Sequence, residues 1–94
     1  MYERLVTSSA KRSLRKLPVR VREDLISATT VLETNPFAGE RLSGALHFLY
    51  SFHFKSDNIS YRLVYTLDHE KKQAIIHFAG TRENFYEKVR RLFQ

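Results

Sequence analysis

The chain has 94 residues, 43% of them hydrophobic, with five tyrosines, seven phenylalanines and no cysteine, and sixteen Lys and Arg against ten Asp and Glu leave a formal charge of +6. The missing cysteines exclude disulfide staples, thiol nucleophiles and thiolate metal sites, and no run of about 18 apolar residues exists to cross a bilayer. The N-terminal MYERLVTSS lacks the layout of a secretory signal, so the sequence reads as one domain over residues 1–94, cytosolic, whose positive field attracts polyanions such as nucleic acid or an acidic protein.

Residues 2–7, YERLVT, read as a short first strand, with Thr7 or Ser8 to cap the helix that follows. That helix, about Ser9–Lys16, sets Lys11, Arg12, Arg15 and Lys16 around a narrow apolar edge of Ala10, Leu14 and Leu17. Pro18 suits the first turn of a second helix. There Val21, Leu25, Ala28 and Leu32 recur at helical spacing until Asn35-Pro36 stops it. Residues 36–45, PFAGERLSGA, read as a loop.

After the loop the apolar period drops from 3.6 to 2. Residues 46–54 place Phe48, Tyr50, Phe52 and Phe54 on one face and His47, Leu49, Ser51 and His53 on the other. ISYRLVYTL (59–67) alternates likewise, with Ile59, Tyr61, Leu63, Tyr65 and Leu67 on the apolar face and Arg62 in the middle of the other. Taking KSDN (55–58) as the whole loop pairs Phe54 with Ile59, Phe52 with Tyr61, Tyr50 with Leu63 and Phe48 with Tyr65, which sets Ser51 opposite Arg62 and His53 diagonal to it. A turn at DHEK or DHEKK leads to a third strand, QAIIHFA (73–79). A four-residue loop there puts Ala74, Ile76 and Phe78 in the core and His77 across from Arg62. Beyond Gly80, the residues Phe85, Val89, Leu92 and Phe93 make a helical stripe.

The elements predict an α+β fold: an N-terminal helical hairpin packed on the aromatic face of a small antiparallel sheet, with a C-terminal helix. The other face, bearing His53 and Arg62 with Lys55 and His77 as further members, is expected to stay open for solvent or a ligand. The histidines make no metal site, because His47 and His53 lie too far apart along one strand and no carboxylate cluster accompanies them. An outward strand arginine is ordinarily a solvated residue, His77 ordinarily a satisfied core group, and a basic helix face ordinarily only hydrated.

The basic hairpin ending in "NPFAGERLSG" (35–44), the aromatic strand, "YRLVY" (61–65) and the closing "GTRENFY" (80–86) together resemble the RelE/ParE superfamily of type II toxin–antitoxin toxins, over nearly the whole chain. The resemblance implies a central antiparallel sheet, a cognate antitoxin that wraps it, no cofactor, and one of two activities. RelE-like members cleave mRNA on the ribosome without metal, whereas ParE-like members poison DNA gyrase. Arg62 and Arg82 stand where the ribonucleases hold phosphate-binding arginines, and Tyr86 stands where they stack an aromatic on the RNA base. The outward positions before the hairpin turn, where relatives put lysines or other acid/base groups, are Ser51, His53 and Lys55 here. Serine at 51 and threonine at 81, where many relatives carry histidine, are departures.

Cleavage without metal needs a base for the 2′-hydroxyl, cations for the phosphorane and an acid for the leaving 5′-oxygen. Histidine suits proton transfer near neutrality, and arginine's planar fork suits the phosphate. Taken with the resemblance, this chemistry leads to the expectation of His53 as general base helped by Lys55, Arg62 and Arg82 as phosphate clamp, and Tyr86 as stacking ring, with Arg82 or His77 as the acid. A gyrase inhibitor and an inert binding module of the same fold are the rival readings.

Overall fold

The computed structural model describes all of residues 1–94. A short strand, β1 (Glu3–Val6), leads into α1 (Ser8–Arg15), where Thr7 caps the first turn by accepting from the Ala10 amide at 3.1 Å. Pro18 precedes α2 (Val19–Ala28), which tightens into a 3₁₀ segment over Thr29–Glu33. The apolar spacing from Val21 to Leu32 therefore holds through a change of helix type, and Thr29, fully buried, donates its hydroxyl to the Leu25 carbonyl at 2.8 Å. Within the stretch expected to be loop, Glu40–Arg41 form a minimal strand, β2.

Three long strands follow: β3 (Tyr50–Ser56), β4 (Ile59–Asp68) and β5 (Gln73–Thr81). The sheet order is β1-β5-β4-β3-β2. β1 runs parallel to β5, so the sheet is mixed rather than wholly antiparallel. The helix α3 (Phe85–Leu92) closes the chain. This is the α+β arrangement expected from the periodicities.

Two details of register differ from expectation, each for a local reason. The β3–β4 hairpin turns on Asp57 and Asn58 alone, at φ 51° and 65°, the left-handed values that a two-residue primed turn requires and that Asp and Asn tolerate. The ladder thereby shifts by two residues, which keeps every face but changes every partner. Phe54 lies opposite Tyr61, Tyr50 opposite Tyr65, Ser51 opposite Val64 and His53 directly opposite Arg62. The second difference is a bulge. The β4–β5 loop is four residues long but spans 69–72 rather than 68–71, which shifts this ladder by two residues as well; Ala74 and Ile76 still enter the core, but Tyr65 pairs with Ile76 while Val64 pairs with Phe78. His77 is the extra residue, so beyond it the facing of β5 inverts. Ala79, not Phe78, joins the main core, and Gly80, not His77, stands across from Arg62.

The two faces are covered by different helices. The α1–α2 hairpin lies over Tyr61, Leu63, Tyr65, Ala74, Ile76 and Ala79. The opposite face is not left open: Phe85 and Val89 of α3 pack there on Leu49 and Val64, with Phe78, Tyr86 and Phe93 around them. A stripe of large apolar residues on a short helix has to be buried somewhere, and the aromatic face was already full. Phe48 falls before β3 begins and leaves the aromatic face, packing its ring on Phe93 at 5.2 Å.

Candidate functional site

The site grows from the middle of β4. Arg62 points to the α3 side of the sheet, half-buried, and its guanidinium carbon lies 5.5 Å from the centroid of the Tyr86 ring. Across the ladder on one side is His53 and on the other Gly80, where a Cβ would meet the rings of Phe78 and Phe85 at 3.6 and 3.8 Å. Side chains directly opposite in an antiparallel pair have Cβ atoms about 4.5–5.5 Å apart, so His53 and Arg62 are first neighbours on this face. Lys55, opposite Ser60, lies on the same face two residues nearer the turn and is exposed.

No carboxylate compensates this cluster. The ion pairs of the molecule are Arg4–Glu33, Arg20–Asp24 and Arg91–Glu87, none of which involves Arg62, His53, Lys55 or Arg82. A guanidinium over an aromatic face keeps its in-plane N–H groups unoccupied. An array of cations with free donors on one face of the sheet is suited to a phosphate.

Of the residues singled out from sequence, the structure thus groups His53, Arg62 and Tyr86, with Lys55 at the margin. Arg82 lies just past the end of β5, exposed. His77 is not part of the group. Its Nε2 is 2.8 Å from the Thr66 hydroxyl, its ring meets Phe93 edge-on at 5.4 Å, and burial pushes its pKa below the usual imidazole value. It is a satisfied, half-buried histidine, and as an acid for the reaction it is withdrawn.

Ser51 belongs to the group although sequence alone gave it no role. It is 4% exposed, and its hydroxyl lies 3.2 Å from that of Tyr86. The signal was its outward position two residues before His53; what could not be read was which ring would meet it.

A second cationic surface lies on the other flank of α3. A groove of about 690 Å³ runs between α1 and α3 along Phe78–Thr81, edged by Arg12, Lys16, Lys88 and Arg91 with no acidic residue in its lining. Lys88 is about half a turn round the helix from Tyr86, so α3 stands as a ridge between the groove and the Arg62 cluster.

The family described as ParE-like toxins of type II bacterial toxin–antitoxin systems matches residues 5–90. No curated protein sequence matches the chain. Among solved structures, the toxin–antitoxin complex RelBE2 of Mycobacterium tuberculosis is similar at a TM-score of 0.75 and 29% identity, over 86% of this chain and 98% of that one. The free E. coli toxin RelE, as a doubly substituted mutant, is similar at a TM-score of 0.73 and 26% identity over 97% of both chains. The intact E. coli RelBE toxin–antitoxin complex gives 0.71 and 25%, over 88% of this chain and 99% of that one. A family match over 5–90, joined to the same three-helix, five-strand architecture in RelE chains that are covered almost end to end, places this chain in the ParE-like family of the RelE/ParE superfamily, the toxins of type II bacterial toxin–antitoxin systems.

Proposed function

We propose that residues 1–94 act as one cytoplasmic toxin domain that cleaves mRNA on the ribosome, by attack of a ribose 2′-hydroxyl on the adjacent phosphodiester, and that a cognate antitoxin neutralises it. The observation that carries this reading is the half-buried, uncompensated guanidinium of Arg62 standing directly opposite His53. His53 takes the proton of the 2′-hydroxyl as general base. Arg62 and Arg82 stabilise the charge that builds on the phosphorane oxygens. With His77 satisfied by Thr66, Arg82 is the remaining expected donor to the leaving 5′-oxygen, and Lys55, on the same face as His53, offers an ammonium that is ordinarily a stronger acid than a guanidinium. Every charge the step requires comes from side chains of this chain, without metal.

The antitoxin is expected to be acidic, since a chain of net charge +6 gains both association rate and specificity from an opposite field. Two of the similar structures are complexes of a toxin with its antitoxin.

Inhibition of DNA gyrase is the alternative, favoured by the ParE-like description of the matching family and by the serine at 51, a position where the ribonuclease reading would place a basic group. Inducible expression with mapping of mRNA 5′ ends, run beside a supercoiling assay on purified gyrase, separates the two. Codon-phased cuts support cleavage; trapped double-strand breaks in DNA with intact mRNA overturn it in favour of gyrase.

A further inference from the structure

We propose that Ser51 and Tyr86 are positioning residues that hold the Arg62 guanidinium ready for a polynucleotide phosphate, and that the face of Tyr86 turned to Arg62 is not a platform for a base. The inference deepens the nuclease reading and rests on it for the identity of the ligand.

The argument begins with the mobility of arginine. Its side chain has many rotamers, and a phosphate that meets a freely moving guanidinium must order it on binding. Here the ordering is already done. The hydroxyl of Tyr86 reaches the hydroxyl of Ser51, 3.2 Å away on the neighbouring strand β3. At its other end the tyrosine is rooted in α3 between Phe85, which is buried and meets the Tyr86 ring edge-on at 5.2 Å, and the buried Val89 one turn on. A ring anchored at its hydroxyl and at its root cannot swing away, and the edge-on contact with Phe85 opposes its turning about its own axis. Arg62 rests against the face of that fixed ring, the electron-rich surface that attracts a cation.

Two consequences follow from this chain of contacts. The guanidinium is held by its plane, so its N–H groups stay free for paired hydrogen bonds to phosphate oxygens. The ring face toward Arg62 is also already covered, which leaves no room there for a base. Ser51 adds nothing to the charge of the site; buried at 4% exposure, it acts only through Tyr86. A basic side chain at 51 would supply a charge instead, so the serine exchanges a direct contact with substrate for a positioned arginine.

The test uses the full-length chain and a short single-stranded oligodeoxynucleotide, which lacks the 2′-hydroxyl and so reports binding without cleavage. Ser51→Ala and Tyr86→Phe each remove the same hydrogen bond while keeping the ring. Each is expected to weaken binding about 3- to 10-fold, with the double variant no weaker than either alone. Repeated in an Arg62→Ala background, both effects should vanish, an outcome that a general loss of packing would not produce. Tyr86→Leu, which removes the ring face itself, should weaken binding further than Tyr86→Phe does. Tyr86→Phe and Ser51→Ala binding like wild type while Tyr86→Leu fails would make the ring a stacking platform and overturn the proposal. Effects that persist without Arg62, or a wild-type chain that does not bind the oligodeoxynucleotide, would overturn it as well. A chain that binds, obeys the cycle and yet cuts no RNA would sink the nuclease reading and leave the positioning intact.

Discussion

The two faces of the sheet are built from similar residues and serve different ends. Under α1 and α2, eleven buried residues form one continuous cluster that includes the fully buried Leu63, Tyr65 and Ala74. Under α3, four buried residues suffice: Leu49, Val64, Phe85 and Val89. The helix over that smaller cluster starts poorly, since Asn84 at its N-terminus is left-handed at φ 53° and offers no side-chain cap. Regions with few buried contacts open first. The thick face therefore carries most of the stability of the domain, while the thin one tolerates a half-buried arginine under a helix with fewer buried contacts.

Leu63→Ala probes the thick face and carries the largest expected effect. Truncating a leucine at 0% exposure removes about 2–5 kcal/mol, a large part of the 5–15 kcal/mol of an ordinary domain, so chemical denaturation should show a greatly lowered midpoint. Survival of the variant with less than about 1 kcal/mol lost would end the contrast between the faces. Arg62→Ala is the counterpart on the thin face: cleavage should fall by roughly 10²–10³, while unfolding free energy changes by under about 1 kcal/mol, the scale of its contact with Tyr86. Unchanged cleavage by this variant would remove Arg62 from the mechanism.

Gly39→Ala tests how the loop is tied to both faces. A Cβ at 39 would come within 2.7 Å of the Ser51 carbonyl and 2.8 Å of the Tyr65 hydroxyl. The phenol, which donates to the Pro36 carbonyl at 2.7 Å and accepts from the Gly39 amide at 3.0 Å, cannot move aside without breaking both bonds. About 1–3 kcal/mol should be lost, measurable as a lowered Tm. Val89→Ala is milder, at about 1.5 kcal/mol for two lost methyl groups. Its signature in hydrogen exchange is local: amides of α3 lose protection while those of β4 and β5 keep theirs. Uniform loss across the sheet would show that α3 is no separate unit.

The smallest effect is one of pH. Burial holds the His77 pKa below its ordinary value, so between that depressed value and about 6.5 the unfolded chain binds a proton that the native chain does not. The stabilisation is full above about pH 6.5 and is lost as pH falls through the window. Unfolding of wild type compared with His77→Gln at pH 7.5 and pH 5.5 should show the difference narrowing at the lower pH; a difference that widens would contradict the sign.

Much of this was legible in the chain itself. The positions of the helices, the change of period after residue 45, the apolar face of β4 and the placing of His53 and Arg62 on one face follow from spacing, while Tyr86 entered through the family resemblance. What was misplaced has a common character. Spacing alone makes KSDN a four-residue loop with His53 diagonal to Arg62, whereas the tolerance of Asp57 and Asn58 for left-handed backbone shortens the turn to two residues and sets His53 opposite. A near-continuous apolar run hid the bulge at His77. The coverage of the second face by α3, and with it the contacts of Ser51 and Tyr86, lay outside any local pattern.

The elements and their apolar faces are set locally, because periodicity acts within a few residues and fixes which side chains must be buried. The partners come from the fold: which strand neighbour meets Arg62, which ring lies beneath its guanidinium, and which serine steadies that ring. The ring and serine contacts, Arg62–Tyr86 and Ser51–Tyr86, join residues 24 and 35 positions apart, and a shift of two residues in one turn re-deals the strand neighbours while leaving the hydrophobic pattern untouched.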